Sequence, residues 1–238
     1  MQNFVDIHHH LIYGVDDGAY SLDMMKEMIL RAANEGVTDL VCTSHVTPGY
    51  KPFPLERYFD HMDKAKAFIK EQGLDLWLYP GCEVLYTDAS ARLLQEHRFP
   101  TLADTDVVLV EFSPDVTMAE LEDAATSFRV AGFRVIFAHV ERYDVLRNIK
   151  NVRRMREQFG VFMQMNANTI IIKKSFLTDR WVKHMIADGY IDCVATDSHN
   201  LSSRSCKMRQ CHQTLTERFG QDVADELCGG FQRRILEL

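Results

Sequence analysis

The amino-acid sequence predicts an α/β fold, a barrel of seven parallel strands alternating with helices, and three observations carry that prediction. Seven short apolar or β-branched runs recur along the 238 residues, at 3–7, 38–43, 76–79, 107–112, 134–138, 161–165 and 192–196. Helical patterns lie between most of them. Several of these helices end just before a glycine, namely Gly36, Gly73, Gly132, Gly160 or Gly189, and the next run begins within a few residues.

The runs are nearly continuous in apolar character rather than alternating, as in strands covered on both faces. In the first helical pattern, at 21–35, Leu22, Met25, Ile29 and Ala32 fall on one face and Ser21 stands at the N-cap position. A glycine after a helix suits the left-handed C-cap. Short connections without a low-complexity linker favour one barrel, complete or distorted, with an open doubly wound sheet as the alternative. With 46% apolar and 26% charged residues, one domain over 1–238 is expected. The longest Pro/Gly-rich loop, VTPGYKPFPL at 46–55, follows His45 and reads as either a substrate-side lid or a plain surface connection.

Composition narrows the function classes. A net charge of -7 argues against broad nucleic-acid binding, which relies on clustered Lys and Arg. Six cysteines (Cys42, Cys82, Cys193, Cys206, Cys211, Cys228) are scattered without a CxxC pair, and no signal peptide precedes the first run. The expectation is a cytoplasmic protein without a disulfide framework. No stretch of about 18 apolar residues occurs, so no membrane span is expected.

Polar residues cluster where the strands end. The first run leads to His8 and His10, the second to His45, the third to Glu83 and the fourth to Glu111. The fifth leads to His139, Glu141 and Arg142, and the seventh to Asp197 and His199. Sites in parallel α/β folds lie at the carboxyl ends of the strands, so these residues form a ring. Residues two apart on a strand share a side, which lets His8 and His10 reach one ion while His9 points away, and the same alternation is expected for Asp197 and His199. The HHH triplet is not tag debris, because tags lie outside the fold pattern. His9, His61, His97, His184 and His212 are read as surface or packing residues.

Mixed His and carboxylate donors without thiolate suit catalytic manganese, iron or zinc. The candidates are too many for one ion, so two or three ions sharing a bridging carboxylate are expected, an arrangement suited to in-line phosphoryl displacement. Arg142 and Arg204 can clamp phosphate oxygens, although each also reads as a surface or salt-bridging residue, for Arg204 with equal weight. A cysteine-based phosphatase needs a C-x5-R phosphate loop. Only Cys228 with Arg234 has that spacing, and no strand precedes it.

DIHHHLIYGVDDGA, TSH, GCEV, LVEFS, AHVERY and ATDSHN, in this order over almost the whole chain, resemble the polymerase and histidinol phosphatase (PHP) family. Within it they resemble the manganese-dependent protein-tyrosine phosphatases of bacterial capsular and exopolysaccharide gene clusters. The resemblance implies a distorted seven-stranded (β/α)7 TIM-like barrel of the PHP type with three divalent ions, manganese first and iron or zinc as alternatives. It implies that His8, His10, Glu83 and Asp197 hold the first ion, and that Glu83, Glu111 and His139 hold the second. Asp17, His45 and His199 would hold the third, with Asp16 as an alternative to Asp17. Arg142 and Arg204 would bind the phosphoryl group, with Asp197 and His199 also at the reacting centre.

The implied partner is a phosphotyrosine protein, a bacterial tyrosine autokinase of polysaccharide export, and an oligomer is compatible with the sequence. The expected chemistry is non-covalent hydrolysis by a metal-bridging hydroxide, since bound ions lower the pKa of water. Two departures stand out. VTPGYKPFP follows TSH where relatives often carry a basic stretch, leaving Lys51 as the nearby cation, and CGGFQRRIL lacks the Asn-Pro that often precedes the final basic pair. A small-molecule phosphatase such as one for histidinol phosphate, a nuclease-like activity on nucleic-acid 3' ends, and a non-catalytic metal-binding regulator are the competing functions.

Overall fold

The computed structural model describes residues 3–172 and 175–238. The first half runs β1 (Phe4–His9), α1 (Leu22–Asn34), β2 (Val37–Val46), α2 (Leu55–Glu71), β3 (Trp77–Leu85), α3 (Ser90–Gln95) and β4 (Val107–Glu111). Then come α4 (Met118–Val130), β5 (Arg134–Phe137), α5 (Ile149–Phe159), β6 (Phe162–Asn166), α6 (Ala167–Ile171), α7 (Phe176–Ala187) and β7 (Cys193–Ala195). Helices α8 (Met208–Phe219), α9 (Gln221–Asp225) and α10 (Phe231–Leu236) follow. All seven predicted runs form strands, paired in parallel in the order β1 to β7.

The sheet curls until β7 meets β1. His9 bridges to Ser198 in parallel, the His10 amide donates to the Ser198 carbonyl at 2.9 Å, and the Asp197 amide donates to His8 at 2.8 Å. Lower on this seam a side chain replaces the backbone ladder: the buried Asp6 carboxylate accepts from the Thr196 amide at 3.0 Å and from the Thr196 hydroxyl. The β1–β2 register shifts twice as well, between Phe4 and Val5 and between Asp6 and His9, so the barrel is nearly closed and distorted around β1. The open doubly wound alternative is thereby excluded.

Alternation along the strands separates two apolar layers. Val5, Ile7, Val107, Leu109, Ile136, Cys193 and Ala195 form the smaller cluster, to which α10 contributes Ile235 and Leu236. This cluster is the barrel interior, plugged at the amino ends of the strands. Val108, Val110, Val135, Met163 and Val194 face the other way, into the layer shared with Met25 and Ile29 of α1 and Phe128 of α4. Helix α1 starts as expected, with Ser21 Oγ accepting from the Met24 amide at 3.2 Å. The five glycines read as helix stops all have positive φ.

Strand β3 extends well beyond the predicted 76–79, through Pro80 and Gly81 to Leu85. Pro80 is tolerated because β4 pairs with β3 only from Glu83 onward, so Pro80 has a ladder partner on the β2 side alone. Gly81 is required by space, since a Cβ there would lie 2.6 Å from Val41 Cγ1. Tyr58 of α2 repairs the break. Its buried hydroxyl donates to the Cys42 carbonyl at 2.6 Å and accepts from the Gly81 amide at 3.0 Å. Among the described residues, no helix is long and apolar enough to cross a membrane.

Removing the hydroxyl in Tyr58→Phe strands a buried amide and carbonyl, at a cost of about 1–3 kcal/mol. The expected result is a lower urea midpoint with unchanged slope. An unchanged midpoint would show that water or backbone rearrangement satisfies Gly81.

Candidate metal centre

Nine side chains named from the sequence meet at the carboxyl end of the barrel. His8 and Glu83 stand on strands β1 and β3, while His45 and Glu111 stand near the ends of β2 and β4. His10, His139, Asp197 and His199 lie just beyond strand ends, and Asp17 comes from the loop after β1. The expected alternation of Asp197 and His199 along a strand is corrected here. Strand β7 ends at Ala195, and Asp197 adopts a left-handed φ of 52°; His139 does the same at 32° after β5. For residues other than glycine, such conformations cost about 1–3 kcal/mol and gather at functional sites. The seam hydrogen bonds around His8, His10 and Ser198 hold Asp197 in place.

Glu83 occupies the centre. Its Oε2 lies 2.9 Å from His8 Nε2, 3.2 Å from His10 Nε2 and 3.2 Å from His45 Nδ1, and its Oε1 lies 2.7 Å from His139 Nε2. Asp197 Oδ1 sits 3.4 Å from His8 Nε2 and 3.5 Å from His10 Nε2, which completes a cluster of His8, His10, Glu83 and Asp197. A second cluster joins Glu83 and Glu111 to His45, whose Nδ1 is 3.0 Å from Glu111; His139 Nε2 lies 3.5 Å from the other Glu111 oxygen. The third joins Asp17, His45 and His199 with His10, the Asp17 oxygen lying 3.4 Å from the Nε2 of both His45 and His199. Asp17 is therefore the aspartate that faces the cluster. Asp16 turns behind it, accepting from His10 Nδ1 at 2.8 Å and from the His45 amide at 2.9 Å.

The donor atoms fit divalent ions. His8 Nε2, His10 Nε2, His199 Nε2 and Glu83 Oε2 are buried without a hydrogen-bond partner, although each faces the cluster. The outer nitrogens of these rings are all taken. His8 Nδ1 donates to Gln164 Oε1 (3.2 Å), His10 Nδ1 to Asp16, and His199 Nδ1 to the Asp197 carbonyl (3.0 Å). Tyr143 Oη lies 3.3 Å from His139 Nδ1 and accepts from the Phe112 amide at 3.1 Å. Fixing Nδ1–H outward leaves the Nε2 lone pair pointing inward, the tautomer a metal-binding imidazole requires.

Electrostatics keeps the carboxylates ionised. Burial pushes Glu83 up, but the surrounding histidines outweigh it and hold its pKa well below the usual carboxylate range. Asp197 is likewise held low against burial, by His8 and His10. Burial disfavours charge on His139, yet Glu111 and Glu83 raise it to about 9. His10 also rises against burial, through Asp16, Asp197 and Glu83. His199 goes the other way, to about 4, because burial and the neighbouring His10 both oppose its charge. The cluster is thus a cation trap, in which protons and metal ions compete for the same lone pairs.

Two further side chains were absent from the predicted ring. Strand β6 contributes no ligand, but Gln164 Oε1 accepts from both His8 Nδ1 and the His139 amide (2.8 Å). Its Nε2 donates to Asn166 Oδ1 at 2.9 Å, and Asn166 Nδ2 donates to Asp197 Oδ2 at 2.8 Å. Three candidate ligands are linked through two buried amides. The signal was present in FMQMN: two polar residues two apart in an apolar strand share one face.

Both predicted arginines converge on Asp197, Arg142 Nη2 at 2.6 Å and Arg204 Nη2 at 2.7 Å. Arg204 is thus partly exposed and salt-bridged to Asp197, which fits its reading as a salt-bridging residue as well as a phosphate clamp. The C-x5-R alternative fails, because Cys228 is fully buried in a helical turn and exposed Arg234 pairs with Glu226. His9 is buried rather than superficial, with neither ring nitrogen hydrogen-bonded, and burial pushes its pKa down to about 3. His212 packs against Phe4 and bonds Asp225 at 2.6 Å, as expected of a packing residue.

Residues 4–237 match the family model described as capsular polysaccharide synthesis, CpsB/CapC. The chain belongs to the CpsB/CapC family. It is 29% identical to the tyrosine-protein phosphatase CpsB of Streptococcus pneumoniae over 98% of both chains, and 24% identical to the tyrosine-protein phosphatase YwqE of Bacillus subtilis over 92% of this chain and 86% of that one. Its fold matches a chain solved in work on YwqE and CpsB, described as metal-dependent tyrosine phosphatases, with a TM-score of 0.81 at 23% identity, covering 92% and 89% of the two chains. An organophosphorus hydrolase variant from Deinococcus radiodurans shares the barrel, with a TM-score of 0.61 at 11% identity over 99% and 93%. Membership of the CpsB/CapC family agrees with the resemblance to capsular-cluster phosphatases drawn from the motifs.

If Gln164 orients His8 and His139, Gln164→Leu should weaken divalent-ion affinity by about 10- to 100-fold, the usual range for a lost outer partner of a ligand. Gln164→Glu keeps the acceptor and should lose less. Chelator competition with circular dichroism as a fold control measures this, and wild-type affinity in Gln164→Leu would reject the role.

Proposed function

We propose that this chain is a metal-dependent protein-tyrosine phosphatase, acting on a phosphotyrosine protein such as a bacterial tyrosine autokinase of polysaccharide synthesis. The observation that carries this reading is the convergence of nine His, Asp and Glu side chains beside two arginines that share one carboxylate. The relatives bearing the name tyrosine-protein phosphatase support the substrate class.

We assign His8, His10, Glu83 and Asp197 to a first ion, and Glu83, Glu111 and His139 to a second. Asp17, His45 and His199 belong to a third, with manganese favoured and iron or zinc also suited to the N/O donors. When bound, such ions supply Lewis acidity and lower the pKa of coordinated water. The rest of the work falls to this chain's own groups. Glu83 presents both oxygens to different histidines and so ties the ion positions together. Arg142 and Arg204, each partly exposed, can turn from Asp197 to phosphoryl oxygens and offset the charge that builds there. Asn166 remains on Asp197 and keeps its carboxylate oriented. A phenolate leaving group needs little protonation, which suits a site whose carboxylates are held ionised.

Turnover of p-nitrophenyl phosphate and a phosphotyrosine peptide by metal-stripped protein, re-supplied with Mn, Fe, Zn or Mg, tests the proposal. Activity should vanish on stripping, return with manganese, and be lost in a His8→Ala, His10→Ala double variant. Arg142→Ala should cost about 100-fold or more in kcat/KM, the scale of losing a charge-stabilising donor. Cys228→Ser should turn over normally. Metal-independent turnover abolished by Cys228→Ser would replace this mechanism with a cysteine-based one.

A further inference from the structure

The loop between β2 and α2, residues 47–54, stands over the third cluster as a preformed wall. Pro48, Pro52 and Pro54 stiffen its backbone. Thr87 Oγ1 donates to the Pro48 carbonyl at 2.9 Å, and the Phe53 ring packs 5.3 Å from that of Tyr58. On its inner side a cavity of about 250 Å³ opens directly onto Asp17 and His45, with Val15, Pro52 and Phe53 as apolar walls. A neighbouring cleft of about 410 Å³ shares Lys51, Pro52 and Phe53 with it and is lined further by Arg98. The side chains of Lys51 and Arg98 make no hydrogen bond or ion pair among the described residues, so two free cations sit at the mouth of an acidic protein.

We propose that this loop is the specificity wall of the phosphatase: the inner cavity takes the phenyl ring of phosphotyrosine against Phe53 and Pro52, and Lys51 with Arg98 receives an acidic side chain flanking it. The inference rests on the phosphatase reading. Size and charge argue for it. A cavity of about 150 Å³ suffices for benzene, so the inner space holds a tyrosine ring with its Cβ. A phosphopeptide with acidic flanks approaches a chain of net charge -7 against repulsion, and unpaired local cations are what offset that repulsion. A single lysine at the junction of the two cavities then discriminates between flanking residues.

Inhibition of p-nitrophenyl phosphate turnover by phenylphosphonate and by inorganic phosphate separates the ring from the phosphoryl group, using manganese-loaded full-length protein. Phe53→Ala should weaken phenylphosphonate by about three- to tenfold, the scale of one aromatic contact, and phosphate much less. Phe53→Leu serves if the alanine variant is unstable. The exposed Lys51→Glu should reduce the preference for a Glu-flanked over a Lys-flanked phosphotyrosine peptide by about two- to fivefold, through KM rather than kcat. Equal weakening of both inhibitors, or an unchanged peptide preference in Lys51→Glu, would overturn the wall while leaving the phosphatase intact. Absence of any turnover by the wild type would instead overturn the phosphatase reading and the wall with it.

Discussion

The rest of the structure is arranged around the buried, ionised carboxylate of Glu83. Removing such a group from water costs several kcal/mol unless partners compensate it. Four imidazoles do so, each within 3.2 Å: His8 and His10 from the first strand and its end, His45 from the second, and His139 from the end of the fifth. In a flat sheet, β1 and β5 would lie about 19 Å apart, four strand spacings of about 4.8 Å. Only a curled sheet brings His8 and His139 to one carboxylate. Closure is thus a condition of the site and not merely its setting.

That closure distributes stability unevenly. The amino ends of the strands are sealed by apolar packing, with Ile235 and Leu236 filling the barrel interior beside Leu102, Val107 and Ile136. The carboxyl ends carry buried charge and two left-handed residues, His139 and Asp197. Each such residue costs about 1–3 kcal/mol, comparable to burying one large apolar side chain. The two strands that precede them are also short, four and three residues. Short strands let the chain leave the ladder early and turn a ligand inward. Along the β1–β7 seam, Asp6 takes over from the missing ladder, so even the closing hydrogen bonds depend on side-chain chemistry specific to this site.

Much of this was legible in the sequence, and the reason is physical. Strands buried on both faces read as continuous apolar runs, and charged or imidazole side chains at their ends have no packing role, so the ring from His8 to His199 stood out against the core. What escaped detection has equally definite causes. The extension of β3 past Pro80 depends on a neighbour that begins pairing only at Glu83, which is a tertiary fact. The turn that delivers Asp197 is left-handed at a residue other than glycine, and no local signal marks that. Gln164 and Asn166 were passed over because amides do not look like ligands, although their spacing on a buried strand matched that of His8 and His10. The choice between Asp16 and Asp17 needed coordinates, since adjacent residues differ only in which way they turn.

The same charge arithmetic bears on how an anionic substrate can enter at all. Asp17, Glu83, Glu111 and Asp197 gather at the mouth of the barrel, and the two arginines nearest them are already engaged with Asp197. Four carboxylates are offset by two guanidiniums and by the imidazoles of His10 and His139, which the carboxylates hold protonated, so little positive charge is left over to draw in a phosphoryl dianion. Divalent ions held by these donors would replace the imidazole protons with greater positive charge and would reduce the hold of Asp197 on its arginines, because a carboxylate oxygen shared with a cation is a weaker acceptor. Phosphate affinity and ion loading are therefore linked quantities in the proposed reading. The link passes through Asp197, where the cluster, both arginines and the amide chain of β6 come together.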